Sequence, residues 1–195
     1  MRADKPERSV LLIGKSQRVL DDAVAGLLDL GYAAHGTNDF ADVGAGIDIR
    51  EIDLVVFGGQ VPPDRKVELE EEIAALNPHV IFVQGLAGIP GLIINQVQGA
   101  FAVGQQAAAE APTFRPADRS IRLTLREPAR VKVTVWWQTT FVPPGPSSDS
   151  FLLLDDRLGA REYTVTVPDF VPPLAAFATV QVEGAIHAFS IATEP

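Results

Sequence analysis

The chain has 195 residues, 47% of them hydrophobic and 21% charged, with a formal net charge of −9 and no cysteine. This length accommodates two small domains with packed cores, the missing thiols exclude disulfides, thiolate metal centres and cysteine nucleophiles, and the acidity excludes the basic footprint of a nucleic-acid binder. The charge is uneven: residues 1–112 hold 8 Lys+Arg against 16 Asp+Glu, a net of −8, and residues 113–195 hold 8 against 9, a net of −1.

The first eight residues carry mixed charge and lead into a five-residue strand too short for a signal-peptide core or a membrane span, so a soluble, cytoplasmic protein is expected. Residues 9–13 (SVLLI) read as a buried strand, after which Leu20, Val24, Leu27 and Leu28 recur at helical spacing until Gly31 stops the helix. A second, weaker strand at 32–36 and a short irregular or helical piece at 40–45 precede a third strand at 54–57. Pro62, Pro63 and Asp64 punctuate the start of a helix reaching Leu76, with Glu68, Glu70, Glu71 and Glu72 on a solvated face and Leu69, Ile73 and Leu76 inward. A fourth strand at 80–84 and a helix at 90–98 follow. Strands alternating with helices call for parallel neighbours with helices on both faces of an open sheet. Residues 99–103 read as a last strand or as a continuation of the helix, and alanine-rich 105–110 as helix.

Two prolines, Pro112 and Pro116, then interrupt the pattern, so that 112–118 reads as a linker between an α/β domain at 1–111 and a second domain at 119–195. Beyond it the period becomes two: Ile121, Leu123 and Leu125 alternate with Arg122, Thr124 and Arg126, and Val131, Val133 and Val135 with Lys132, Thr134 and Trp136. Further strands at 151–154, 163–167, 177–182 and 186–191, with turns at 142–149 and 155–159, predict a small immunoglobulin-like β-sandwich without the Cys-Trp-Cys pattern of true immunoglobulin domains. The expected fold class is therefore α/β plus all-β.

Glycines end three of the first four strands: Gly14, then Gly58 and Gly59, then Gly85 and Gly88. Open α/β sheets place ligands and catalytic groups at this rim. Gly14-Lys15-Ser16 lacks the first glycine of a P-loop, because the position five before Gly14 is Ser9, inside the strand. Ser16 is expected as a helix N-cap with Lys15 exposed, and the orphan amides there offer a weak anion site. Gly85-Leu-Ala-Gly88-Ile-Pro-Gly91 has neither the G-x-G-x-x-G spacing nor the acidic partner of a dinucleotide fold and reads as turn geometry.

This order of elements, with Gly31-Tyr32 joining the first helix to the second strand, resembles the receiver domain of two-component response regulators, or more generally a Rossmann-like sheet, over roughly residues 9–103. The resemblance implies an acidic pair after the first strand, a phosphate-accepting Asp at the end of the third and a Lys after the fifth. Here Gly14 and Lys15 stand at the first place, Gly58 and Gly59 at the second, and no Lys follows Lys66 in that half. What it implies is thus a degenerate domain without phosphate or magnesium chemistry.

His35, expected near the carboxyl end of its strand, His79, at the amino end of another, and His187 are scattered, Asp21 and Asp22 fall on a helix, Asp155 and Asp156 fall in an expected turn, and no G-x-S-x-G elbow occurs. No metal, cofactor or catalytic residue is expected. Adjacent strand residues point to opposite faces; alternation places Trp137 inward and Trp136 outward, as a contact residue for the other domain or for a partner. The functional expectation is a non-enzymatic interaction or assembly module whose partner is another protein or a second copy, with no membrane or nucleic-acid contact. The alternative is a nucleotide or other small anionic, phosphorylated ligand at Gly14, Lys15, Ser16, Gly58, Gly59, Gly85 and Gly88.

Overall fold

Residues 8–102, 108–140 and 147–192 are described by the computed structural model, and the backbone separates into two units, Met1–Val97 and Gln98–Pro195. In the first, β1 (Ser9–Ile13), β2 (Ala33–Thr37), β3 (Leu54–Phe57) and β4 (Ile81–Gln84) form a parallel sheet in the order β2-β1-β3-β4. Helices α1 (Gln17–Asp29), α2 (Pro63–Leu76) and α3 (Pro90–Phe101) follow β1, β3 and β4, and the division between units falls within α3. β1 and β3 are apolar at nearly every position because both of their faces are covered. Leu11, Ile13, Val55 and Phe57 cluster with Leu69 and Ile73 of α2, while Val10, Leu12, Leu54 and Val56 are buried on the opposite face. Each such side chain contributes about 1.5–3 kcal/mol. On α1, a side chain at Gly26 would collide with Ile94 of α3, so the two helices lie in close contact.

The stop signals work as read. Gly31 adopts a φ of 83°, its N–H donates to Leu28 O and that of Tyr32 to Leu27 O, a Schellman termination. Residues 40–45 are turns without a helix, pinned by Arg65, whose Nε donates to Phe40 O at 2.8 Å. The Arg65 guanidinium also meets Glu72 at 3.0 Å and Glu68 at 2.9 Å; the hydrogen bonds it donates to Glu72 and then to Glu68 hold its pKa above the usual arginine value. The acidic face of α2 is thus partly neutralised from its own first turn. At the far end of α2, Asn77 Nδ2 donates to Ile52 O at 2.7 Å and Ile49 O at 3.2 Å while its Oδ1 accepts from His79 N.

The second unit contains β5 (Thr113–Arg115), β6 (Ser120–Thr124), β7 (Ala129–Thr140), β8 (Ser147–Leu158), β9 (Glu162–Thr166), β10 (Ala176–Val182) and β11 (Ala185–Ser190). They form two antiparallel sheets, β11-β10-β7-β8 and β5-β6-β9. A single apolar cluster draws Ile121 and Leu123 from one sheet and Val131, Val133, Val135, Ala178 and Val180 from the other, which is the alternation seen in the sequence. No helix among the described residues is long and apolar enough to cross a membrane.

Several local expectations are corrected. Residues 99–101 continue α3, the second of the two readings, with Val103 outside the described residues. Ala109 bridges Leu125 and Glu110 N donates to Thr124 O, so 108–110 is extended where helix was expected, because two small buried alanines fit beside the core; 105–107 lie outside the described residues. Thr113–Arg115, inside the segment read as linker, pairs with β6: Pro112 and Pro116 flank the strand and leave its own amides free. Asp155 and Asp156, expected in a turn, lie in β8 opposite Lys132 and Val131. There Arg130 meets Asp155 at 2.8 Å, so pairing overrides the turn preference of two aspartates. Of the turn expected at 142–149, residues up to 146 lie outside the described residues and the rest begin β8.

Removing the Asn77 clamp takes away the side-chain donor of the Ile52 carbonyl and leaves the Ile49 carbonyl with the Ile52 amide alone. Asn77→Ala is expected to lower unfolding free energy by about 1–3 kcal/mol in urea titration, whereas Asn38→Ala, at an exposed position, stays within about 0.5 kcal/mol.

Candidate functional site

The structure brings the predicted rim together at the carboxyl ends of β1, β3 and β4. A Cβ at Gly58 would lie 3.3 Å from Ile13 O and 3.4 Å from Gly14 Cα, and one at Gly85 would lie 3.1 Å from Phe57 O and 3.8 Å from Gly58 Cα. Gly14, Gly58 and Gly85 therefore stand side by side. Their amides are engaged: Gly14 N donates to Thr37 O (3.0 Å), Gly58 N to Ile13 O (2.8 Å) and Gly85 N to Phe57 O (2.8 Å). The glycines extend the parallel ladder one residue beyond the strands, and these three N–H groups point at neighbouring strands instead of at a ligand. A phosphate cradle needs free amides.

The remaining predicted residues are scattered around this row. Lys15 and Gly59 are exposed and Gly88 is half-buried in the loop before α3. Ser16 occupies the N-cap of α1 as expected, but its side chain makes no capping hydrogen bond.

Sequence reasoning missed Lys66, which α2 brings to the rim. Its Nζ lies 2.6 Å from Gln84 Oε1, 5.7 Å from the centroid of the Phe57 ring and 3.6 Å from Glu70. Gln84 Nε2 donates to the carbonyls of Phe57 and Gly85 at 3.1 and 3.2 Å. Gln96 closes the network, donating to Gln84 O and accepting from Leu86 N. The rim's polar side chains thus bind its own loop. The only signal for Lys66 was its place in the first turn of the helix after β3.

Groups for acid–base or nucleophilic chemistry do not converge here. His35 sits in mid-strand opposite Leu11, not near the end of its strand as expected, and His79 lies between α2 and β4, at the other end of the sheet. Among the described residues no three His, Cys, Asp or Glu side chains are placed to hold a metal ion. A hollow of about 530 Å³ lies away from the rim, lined by Gly44, Gly46, Ile47, Asp48, Ile49, Arg50 and Leu76. A smaller one, about 260 Å³, is bordered by Arg130, Lys132, Asp155, Gln181 and Glu183, of which Arg130 and Asp155 are paired.

The second unit carries a different feature. Phe170, 60% exposed, meets Phe151 edge-on at 5.1 Å and Trp137 at 6.2 Å between ring centroids. The loop that holds it is fixed: Val171 is fully buried, its N–H donates to Pro168 O, and its carbonyl accepts from Arg119 Nη2 at 2.6 Å. Leu174, at the other end of the loop, is also 60% exposed. Trp137 packs against the core, the side expected for it. Trp136 is half-buried, and its indole N–H donates to Thr179 Oγ1 at 3.0 Å, so its polar group is satisfied within its own sheet.

Comparison of the sequence with protein-family models and with curated proteins finds no match.

The crowding at the rim is measurable. Gly85→Ala must push the Phe57 carbonyl aside and is expected to cost about 1–3 kcal/mol, while Gly59→Ala, which meets nothing within 4 Å, stays within about 0.5 kcal/mol. Equal costs in denaturant titration would contradict the close approach of β3 and β4.

Proposed function

We propose that this protein is a non-enzymatic interaction module of the cytoplasm, in which a degenerate receiver-like α/β unit is joined to an immunoglobulin-like β-sandwich that presents the contact surface. The four-and-three division of antiparallel strands around one apolar cluster supports the sandwich reading. The order β2-β1-β3-β4 supports the receiver-like one, being the first four places of the flavodoxin-like arrangement. The observation that carries the functional reading is the cluster that Phe170, on a pinned loop, forms with Trp137 of β7 and Phe151 of β8. Exposed aromatic side chains with little conformational freedom are what protein interfaces use as anchors. Asp149, opposite Trp137 in the register, and Asp169, beside Phe170, give the cluster an acidic border, which favours an apolar partner segment flanked by Lys or Arg. Trp136, on the other face of β7, belongs to this reading as a second contact residue.

Two measurements test it. The chain, used as bait for affinity purification with quantitative mass spectrometry, is expected to retain specific partners that Phe151→Ser/Phe170→Ser loses and Thr164→Ala, at another exposed position, keeps. Identical partner sets for all three baits would sink the reading. The competing reading, a phosphorylated small ligand on the glycine rim, predicts a melting temperature that climbs with ligand concentration; with millimolar ATP, NAD or inorganic phosphate we expect a shift below about 1 °C.

A further inference from the structure

β4 is the outer strand of the parallel sheet: among the described residues β3 pairs with one side of it and no strand with the other. Ile81 N–H donates to Asp53 O at 2.9 Å and Gly85 N–H to Phe57 O at 2.8 Å, so Ile81, Val83 and Gly85 turn their peptide groups toward β3. The intervening Phe82 and Gln84 turn theirs to the open side, where the Gln84 carbonyl accepts from the Gln96 side chain. Open edges are ordinarily guarded by charge, proline or a bulge. β8, an edge strand of the second unit, carries Asp149, Asp155 and Asp156 and a bulge where Val133 gives way to Thr134 on its partner. β4 itself carries no charged residue, proline or bulge, its neighbours being Gln96 on the Gln84 carbonyl and Lys66 on the Gln84 side chain. From Ile73 to Ala109 the sequence contains no Asp, Glu, Lys or Arg, in a chain whose net charge is −9. Ile81, within this stretch, remains 40% exposed. Two copies of so acidic a chain repel each other over charged surface; along β4, whose own residues are uncharged and whose neighbour Lys66 is paired with Glu70, they approach with less of that opposition.

We propose that β4 pairs antiparallel with β4 of a second copy about a two-fold axis at Phe82, joining two four-stranded sheets into one. The edge groups suit this register. Phe82 faces Phe82 and exchanges both hydrogen bonds, Val80 faces Gln84, and Ile81 faces Val83 at a non-hydrogen-bonded position, where Cα atoms are about 4.5 Å apart. In this register facing residues share a sheet face: Ile81 and Val83 lie on the side of Leu54 and Val56, and Phe82 on the side of Val55. The surface lies in the first unit and is separate from the aromatic cluster, so it goes beyond the reading above.

Sedimentation velocity of the full chain from about 1 to 100 µM is expected to show a dimer. Ile81→Lys, which puts a charge on the edge, is expected to weaken it roughly tenfold or more at unchanged circular dichroism, while Phe151→Ser/Phe170→Ser leaves it intact. The natural absence of cysteine permits a direct reading of register: an equimolar mixture of Ile81→Cys and Val83→Cys, oxidised under native conditions, is expected to give the mixed disulfide in excess of either self-linked product. A monomer throughout the range, a dimer indifferent to Ile81→Lys, or cross-links without that preference would each overturn the proposal. Should Ile81→Lys unfold the chain, the cysteine pair decides alone. A monomeric chain that still loses its partners on substitution of Phe151 and Phe170 would refute this pairing and leave the interaction module standing.

Discussion

Where β1, β3 and β4 end, the parallel ladder runs on for one more residue, and that extension sets what the carboxyl end of the sheet is able to do. Carrying hydrogen bonds through Gly14, Gly58 and Gly85 holds the three chains so close that a Cβ on Gly58 or Gly85 presses on the carbonyl of the neighbouring strand. A carboxylate at those positions would need the backbone to move apart. The rim therefore lacks acidic side chains for a geometric reason as well as a compositional one. The amides of these three glycines are occupied by the same ladder. Gln84, Gln96 and Lys66 then join it from the side, binding carbonyls and one another, so these side chains serve the rim's own backbone.

In the second unit the governing device is alternation, which sends Val131, Val133 and Val135 into the cluster and Lys132, Thr134 and Trp136 to the other face. A shift of one residue would exchange the two sets. Register is held by connections that adopt unusual conformations: Arg119, Ala175 and Glu183 all have φ near 50° without being glycine. Arg119 offsets that strain by donating to Val171 O while its own carbonyl accepts from Val167 N, tying the β6 and β9 ends to the loop that carries Phe170.

The sequence was most legible where one pattern dominates. β1 and β3 are unbroken apolar runs, and Gly31 closes α1 as read. The inward and outward tryptophans follow from counting alternate residues, and Trp137 packs on the core accordingly. Legibility failed where distant partners decide. Nothing local marks 113–115 as a strand between two prolines or keeps Asp155 and Asp156 extended, because both depend on strands elsewhere in the chain. Ala108 and Ala109 have high helix propensity and become extended beside a core that only the folded chain supplies. The approach of Lys66 to Gln84 depends on the rotation of α2 about its axis, and the aromatic cluster depends on a buried Val171 that makes Phe170 face outward.

The pairing of β6 with β9 and of β7 with β10 has a consequence for biosynthesis. Hairpin β7–β8 is complete before β10, which pairs with the other side of β7, has left the ribosome, so β7 spends that interval with one edge open beside the apolar run Phe151, Leu152, Leu153 and Leu154 of β8. Non-local closure of this kind is slow, and a row of large apolar residues on an open strand is what nascent chains aggregate through. The bulge of β8 and its flanking aspartates interrupt that row. In the finished fold Phe151 and Leu152 remain 45% and 49% exposed, so the same devices guard that edge after Val182 has emerged as well as before.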